Sequence, residues 1–144
     1  MVTDMIEYRE FGSELVDEVY QLYEKNEWES YLGDKDKLCR AFDKSRFIIG
    51  AFDEGHLVGF ARCVGDDEYI VYVQDLIVDP SYQRRGIGKQ LMKLVSDRYP
   101  AIHQFVLITD RDDDTANEFY KSIGLSENCN GYPVNHYFRK KQKE

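Results

Sequence analysis

Asp75-Leu76-Ile77-Val78-Asp79-Pro80-Ser81-Tyr82-Gln83-Arg84-Arg85-Gly86-Ile87-Gly88-Lys89 joins a strongly apolar strand to an amphipathic helix. Pro80 stops the strand, because proline removes a ladder donor. Downstream, Ile87, Leu91, Leu94 and Val95 recur at helical spacing, with Lys89, Gln90, Lys93 and Asp97 between them. A glycine-bearing turn that opens a helix leaves backbone N–H groups without intrahelical acceptors. The helix dipole adds partial positive charge there, and Arg84, Arg85 and Lys89 add full charges. Such a turn suits a phosphate-bearing ligand.

Two common phosphate templates fail. A Walker loop needs glycine at Gln83 and Ser or Thr after Lys89, where this chain has Gln90. A dinucleotide fingerprint starting at Gly86 needs a small residue at Leu91. The segment Val78 to Gly88 instead resembles, without a gap, the pyrophosphate loop Arg/Gln-x-x-Gly-x-Gly/Ala of the Gcn5-related N-acetyltransferases (GNAT), which holds acetyl-coenzyme A. The resemblance implies that Gln83, Arg84, Arg85, Gly86, Ile87, Gly88 and Lys89 bind that cofactor. The plain alternative is an ordinary helix entry with a flexible turn.

Working outward, the strand runs back from Val78 to Tyr69, behind a turn at Gly65-Asp66-Asp67. Arg46 to Phe52 and Leu57 to Val64 read as two more strands, joined by Asp53-Glu54-Gly55. Three neighbouring strands with short turns make an antiparallel meander. Past the loop, the helix runs to Tyr99, Pro100 marks its exit, and Phe105-Val106-Leu107-Ile108 reads as a buried strand. Strand, crossover helix and strand form a βαβ unit with parallel neighbours. Before the meander, Met5 to Arg9 reads as a first strand and Ser13 as the cap of a helix carrying Leu15, Val16, Val19, Tyr20, Leu22 and Tyr23. A second helix carries Leu38, Ala41 and Phe42. Thr115 to Ile123 reads as a further helix ended by Gly124, and Val134 to Phe138 as a last strand; residues 139–144 read as a solvated, frayed tail. The expected fold is an α+β sandwich: a mixed sheet with an antiparallel meander, a central parallel β-α-β step and helices on both faces. The GNAT family has the same order of elements, so the resemblance extends from Phe47 to Phe138.

The chain of 144 residues is the size of one domain, 1–144, with 42% hydrophobic and 14% aromatic residues to supply a core. Nineteen basic against 27 acidic side chains give a net charge of −8. That argues against nucleic acid as partner, since phosphate neutralisation needs a basic surface. The field would instead favour a cationic small molecule. Cys39, Cys63 and Cys129 are scattered and odd in number, as expected of reduced thiols in a cytosolic protein. His56, His103 and His136 are equally scattered, so no metal site is expected. No apolar run reaches the roughly 20 residues of a membrane span. Met1-Val2-Thr3-Asp4 lacks a basic n-region. The expectation is a cytoplasmic protein without membrane contact.

By the same resemblance, the edge of Leu76, Ile77 and Val78 binds the pantetheine arm of the cofactor. Parallel strands forced apart leave ladder groups unpaired, and an amide-rich linker satisfies them as an added strand does. The alternative is that these residues are core strand only. Asn117-Glu118-Phe119-Tyr120-Lys121-Ser122-Ile123-Gly124-Leu125 resembles the family's Asn-x-x-Phe-Tyr-x-x-x-Gly-Phe/Leu signature. Carried over, Asn117 hydrogen-bonds pantetheine or a nearby backbone group, Phe119 packs on the cofactor, and Tyr120 contacts it near the thioester sulfur. Tyr120 then acts as general acid to the leaving thiolate. Against this, Ala116, Phe119, Tyr120 and Ile123 also make the apolar face of an amphipathic helix.

Asp75 is a candidate to accept the amine's proton or anchor an ammonium; its other reading is a strand-end salt bridge. Strand alternation puts Tyr72 and Gln74 on the opposite face from Asp75 unless a bulge intervenes. Between the first two helices, Trp28 and Tyr31 with Glu27 and Glu29 can cage an ammonium, or simply cover the core edge. Asp110, Asp112, Asp113 and Asp114 suit helix capping, with a metal or polyamine site as the alternative. Together these readings point to an N-acetyltransferase that moves acetyl from acetyl-coenzyme A to a primary amine of a small molecule. The acceptor can be an arylalkylamine, an amino acid or a polyamine. Direct attack is expected because the cysteines show no activating pattern. Val58-Gly59-Phe60-Ala61-Arg62 and Gln74-Asp75-Leu76 faintly resemble the arylalkylamine-acetylating branch. The family resemblance also allows a homodimer. The rival reading is a non-catalytic acyl-coenzyme A sensor or partner subunit.

Overall fold

The computed structural model describes residues 5–128, 131–139 and 141. The chain divides between Ile108 and Thr109 into two compact units. The first holds a five-stranded sheet in the order β1-β2-β3-β4-β5. Its strands are β1 (Ile6–Glu10), β2 (Phe47–Asp53), β3 (His56–Gly65), β4 (Ile70–Val78) and β5 (Gln104–Leu107). β1 to β4 pair antiparallel, and β5 pairs parallel to β4. The expected meander and βαβ step are both present. The crossover is helix α3 (Ile87–Arg98), following the loop that opened the sequence reading.

Directly opposed residues on neighbouring strands share a face. One face carries Ile48, Phe52, Phe60, Leu57 and Ile77, which form a single core with Val19, Leu22 and Tyr23 of α1 (Val16–Lys25) and Leu38 and Phe42 of α2 (Lys35–Asp43). α3 lies against β2, β3 and β4 and buries Ile87, Leu91, Met92 and Val95. At its end, Tyr99 meets Phe47 edge-on at 6.1 Å. Helices therefore cover both faces.

The register along β3 and β4 holds the feature that positions the site. Arg62 opposes Asp75, but Cys63 opposes Val73, so Gln74 is an extra residue in β4. This β-bulge switches faces. Arg62 and Cys63 are consecutive and point oppositely, so Asp75 and Val73 do too, although burial at Val71, Val73, Asp75 and Ile77 mimics one continuous face. The exception allowed for Tyr72 and Gln74 is therefore the actual case. Tyr72, opposite Val64, shares a face with Asp75.

Three local expectations need correction. Ser13 does not cap α1: it opens a 3₁₀ turn, Ser13–Leu15, and its hydroxyl donates to Asp43 Oδ1 at 2.6 Å. β5 is half-buried rather than buried, as suits the last strand of the sheet order, and Ile108 is exposed. No strand forms at 134–138, where Val134, Tyr137 and Phe138 are exposed. A short run with a β-branched residue and aromatics makes a strand only where a partner edge receives it.

In the second unit, α4 (Asp114–Ser122) starts from Asp113, whose carboxylate accepts from Ala116 N at 3.0 Å. Of the expected tail, Arg139 and Lys141 are exposed, while Lys140 and residues 142–144 lie outside the described residues, as do residues 1–4 and Cys129.

Candidate active site

Asp75 sits at the centre of the first unit's polar chemistry. Burying a carboxylate is costly unless it is paired and hydrogen-bonded, and this one has three partners. Arg62 Nε donates to its Oδ2 at 2.7 Å, Tyr23 to the same oxygen at 2.9 Å, and Tyr31 to Oδ1 at 2.6 Å. Arg62 also reaches Ser45 Oγ at 3.1 Å. Burial by itself would lower the Arg62 pKa, but the Asp75 charge and hydrogen bond overcome it and the net direction is up. Burial first, then Asp75, raises the phenols of Tyr23 and Tyr31. The guanidinium and both phenols therefore keep their protons, as the cluster requires.

The loop between the first two helices is brought to this cluster. Tyr31 stacks on Tyr23 with ring centroids 4.2 Å apart, and Trp28 lies 5.9 Å from the Tyr23 ring and 6.5 Å from the Tyr31 ring. Both are partly buried against the core, so their rings cover the core edge. Tyr31 Oη additionally accepts from Gln74 Nε2 at 3.1 Å. Tyr23 and Arg62 were not singled out as site residues from sequence, and Gln74 was read as a polar neighbour that contributes only if a bulge turns it to the Asp75 face. The available signal was Arg62, a lone charge inside the apolar run Phe60-Ala61-Arg62-Cys63-Val64.

Beyond the bulge, β4 changes its company. The ladder to β5 ends at the Val73–Leu107 rung, and β5 pairs with none of Gln74 to Val78. On the other side, Asp75 to Val78 remain paired to β3. Leu76, Ile77 and Val78 thus keep a rigid strand conformation while their β5-facing edge is left over.

That edge leads into the loop. Asp79 Oδ1 accepts from Ser81 N at 2.9 Å and Ser81 Oγ at 2.7 Å, and Lys25 Nζ reaches Oδ2 at 2.9 Å. Tyr82 donates to Asp53 Oδ2 at 2.5 Å, and the Arg85 guanidinium lies 4.9 Å over the Tyr82 ring. Gln83 Nε2 donates to Val78 O at 3.2 Å. Arg84 takes φ 65° and Gly86 φ 80°, both left-handed. A Cβ at Gly86 would meet nothing within 4 Å, so open space faces the helix start. The first intrahelical bond is Gln90 N to Gly86 O at 3.0 Å. The N–H groups of Ile87, Gly88 and Lys89 therefore have no acceptor within α3.

In the second unit, the Asn117 amide donates to the carbonyls of Asp110 at 2.9 Å, Arg111 at 3.2 Å and Asp113 at 2.8 Å. It shapes the acidic turn ahead of α4. Phe119 and Tyr120 are half-buried. Burial, and then the Asp113 charge, raise the Tyr120 phenol above its ordinary value. Burial also pushes the Cys63 thiol up to about 12, despite the neighbouring Arg62. That makes it a poor nucleophile. Among the described residues, no group of three His, Cys, Asp or Glu is placed to hold a metal ion.

The profile of the Acetyltransferase (GNAT) family matches residues 9–125. The chain belongs to the GNAT family. A GNAT-family acetyltransferase from Streptococcus pneumoniae TIGR4 has a similar structure, with a TM-score of 0.78 and 30% identity over 95% of this chain and 100% of that one. An uncharacterized ycf52-like N-acetyltransferase of Prochlorococcus marinus is 34% identical over 94 residues, 61% of this chain and 51% of its own length. The histone acetyltransferase TAP1 of Glycine max is 32% identical over 80 residues, 55% of this chain and 34% of its own. This GNAT chain thus spans about half the length, or less, of these curated relatives. The aminoglycoside acetyltransferase AAC(6')-Iy, solved with coenzyme A, shares the GNAT fold at TM-score 0.76 and 17% identity, over 98% of each chain.

Proposed function

We propose that this chain transfers the acetyl group of acetyl-coenzyme A to a primary amine of a small molecule. One observation carries the reading: the β5-free edge of Gln74 to Val78 leads, through the loop that holds the turn Pro80–Tyr82, to a helix start opened by Gly86. The residues present fit the co-substrate. Leu76, Ile77 and Val78 offer strand-edge groups to pantetheine amides. Gly86, Ile87, Gly88 and Lys89 offer N–H groups to a pyrophosphate, and Arg84, Arg85 and Gln83 add charge and donors beside it. The protonation states agree with direct transfer, since Cys63 stays a thiol at neutral pH.

In that transfer the amine nitrogen bonds to the thioester carbonyl carbon, the carbon–sulfur bond breaks, and the sulfur leaves as thiolate. Tyr120 supplies the proton that makes it a thiol, while the attacking neutral amine releases its surplus proton to solvent, from which the tyrosinate is restored. Its raised phenol remains protonated through the neutral range, as a general acid requires. Asp75 takes no proton in this scheme, because both of its oxygens are already occupied by Arg62, Tyr23 and Tyr31. Its part is to hold the bulge and Tyr31 in place. Among the described residues no helix is long and apolar enough to cross a membrane, and we take the cytoplasm as the working compartment.

The experiment is thiol release from acetyl-coenzyme A with pools of arylalkylamines, amino acids, polyamines and other small amines. Amine-dependent release above hydrolysis supports the reading and names the acceptor class. Silence in every pool, with cofactor binding confirmed by a melting-temperature shift, moves the assignment to protein acetylation or to the acyl-coenzyme A sensor.

A further inference from the structure

The position of one proton fixes how Gln74 is turned. Tyr31 Oη carries a single hydrogen and lies 2.6 Å from Asp75 Oδ1. A carboxylate facing the Arg62 guanidinium at 2.7 Å only accepts, so Tyr31 must donate to it. The Tyr31 oxygen can then only accept, from Gln74 at 3.1 Å and from Arg62 Nη2 at 3.4 Å. Gln74 must therefore present its Nε2 to Tyr31, which settles an amide orientation that is otherwise ambiguous. Its Oε1 is left facing away from that bond.

Gln74 is exposed, is the extra residue of the bulge, and is the first β4 residue past the last rung to β5. We propose that Gln74 Oε1 is a pre-oriented hydrogen-bond acceptor for an N–H of the incoming amine, with Tyr31 as its positioning residue and Asp75 as the fixed end of the relay. The inference rests on the acetyl-transfer reading above. A carbonyl acceptor suits this task because it engages an N–H of a neutral amine and leaves the nitrogen lone pair free to attack. It also gives the buried cluster a purpose in the reaction: the Arg62 charge fixes Asp75, Asp75 fixes the Tyr31 proton, and Tyr31 fixes the amide.

Steady-state kinetics and amide spectroscopy test it together. With the best amine among phenethylamine, spermidine and glycinamide, Tyr31→Phe and Gln74→Leu each raise the amine KM about three- to tenfold, the range of one neutral hydrogen bond. The acetyl-coenzyme A KM stays within twofold, and the double variant is no worse than either single one, because one relay is lost once. Additive losses, or an equal rise in the acetyl-coenzyme A KM, overturn the inference. Without turnover, the side-chain amide signal of Gln74 is followed in ¹⁵N-labelled, coenzyme A-saturated protein during titration with each amine. Movement in wild type that is lost in Tyr31→Phe supports the relay. A Gln74 signal that none of the three moves overturns it, even if thiol release is active. A moving signal with no thiol release overturns the enzymatic reading alone.

Discussion

Arg62 Nε donates to Asp75 Oδ2 at 2.7 Å across the β3–β4 register, with the two side chains 7% and 1% exposed. A pair so withdrawn from water gains little over an apolar pair of the same shape, yet removing one partner strands the other. Arg62→Met is therefore expected to cost about 3–5 kcal/mol of folding stability. Arg62→Met combined with Asp75→Leu should recover most of that loss. Urea denaturation decides: a single-variant loss below about 1 kcal/mol would place the pair in a wetter setting than its burial implies.

Tyr120→Phe separates chemistry from binding. The ring and its packing remain and only the ionisable proton goes, so the acetyl-coenzyme A KM should hardly change. Turnover should fall by about 10²-fold or more if the phenol protonates the thiolate. Because the Tyr120 pKa is raised above its ordinary 10.0, wild-type kcat should show no loss from this group as pH rises to 9. Wild-type turnover in the Phe variant would remove Tyr120 from the mechanism.

Local residue order made much of the fold legible. The apolar run ending at Val78, the glycine turn at Gly86 and the four-residue spacing of Ile87, Leu91 and Val95 each report structure within a few residues of themselves, and each forms as read. What stayed hidden depends on partners far along the chain. The Gln74 bulge lies between the Arg62–Asp75 and Cys63–Val73 rungs, and nothing in the window around Gln74 encodes that slip. For the same reason Asp75 could be read equally as a base or as a salt bridge. Its neighbours Tyr23 and Tyr31 lie 52 and 44 residues away. The β-branched and aromatic residues at 134–138 misled in the opposite direction, since they advertise a strand without naming an edge.

Gly86 and Arg85 test the loop from two sides. Gly86 sits at φ 80° with nothing within 4 Å of an added Cβ, so Gly86→Ala meets no clash and loses only backbone conformational energy, about 1–2 kcal/mol. Chemical denaturation measures this. Arg85→Glu acts on the ligand instead, placing negative charge at the helix start. Coenzyme A binding by calorimetry should weaken about tenfold or more, the scale of a charge-assisted hydrogen bond. Unchanged affinity would count against this loop as the pyrophosphate site.

Asp79 should make the loop's entrance acid-sensitive. Burial by itself would raise its pKa, but the Ser81 hydrogen bonds and Lys25 outweigh it, and the net direction is down. A carboxyl whose folded pKa is depressed contributes stability that is fully present above its unfolded value, about 3.9. That contribution is lost as pH falls from there through the folded pKa. Asp79→Asn keeps the shape but gives up the ionic contact with Lys25, which is 2.9 Å away. The melting temperature of wild type should therefore exceed that of Asp79→Asn between pH 5 and 8, with the gap closing steadily below about pH 4. Parallel melting curves across that whole range would show that Asp79 holds Ser81 and Lys25 without any charge contribution.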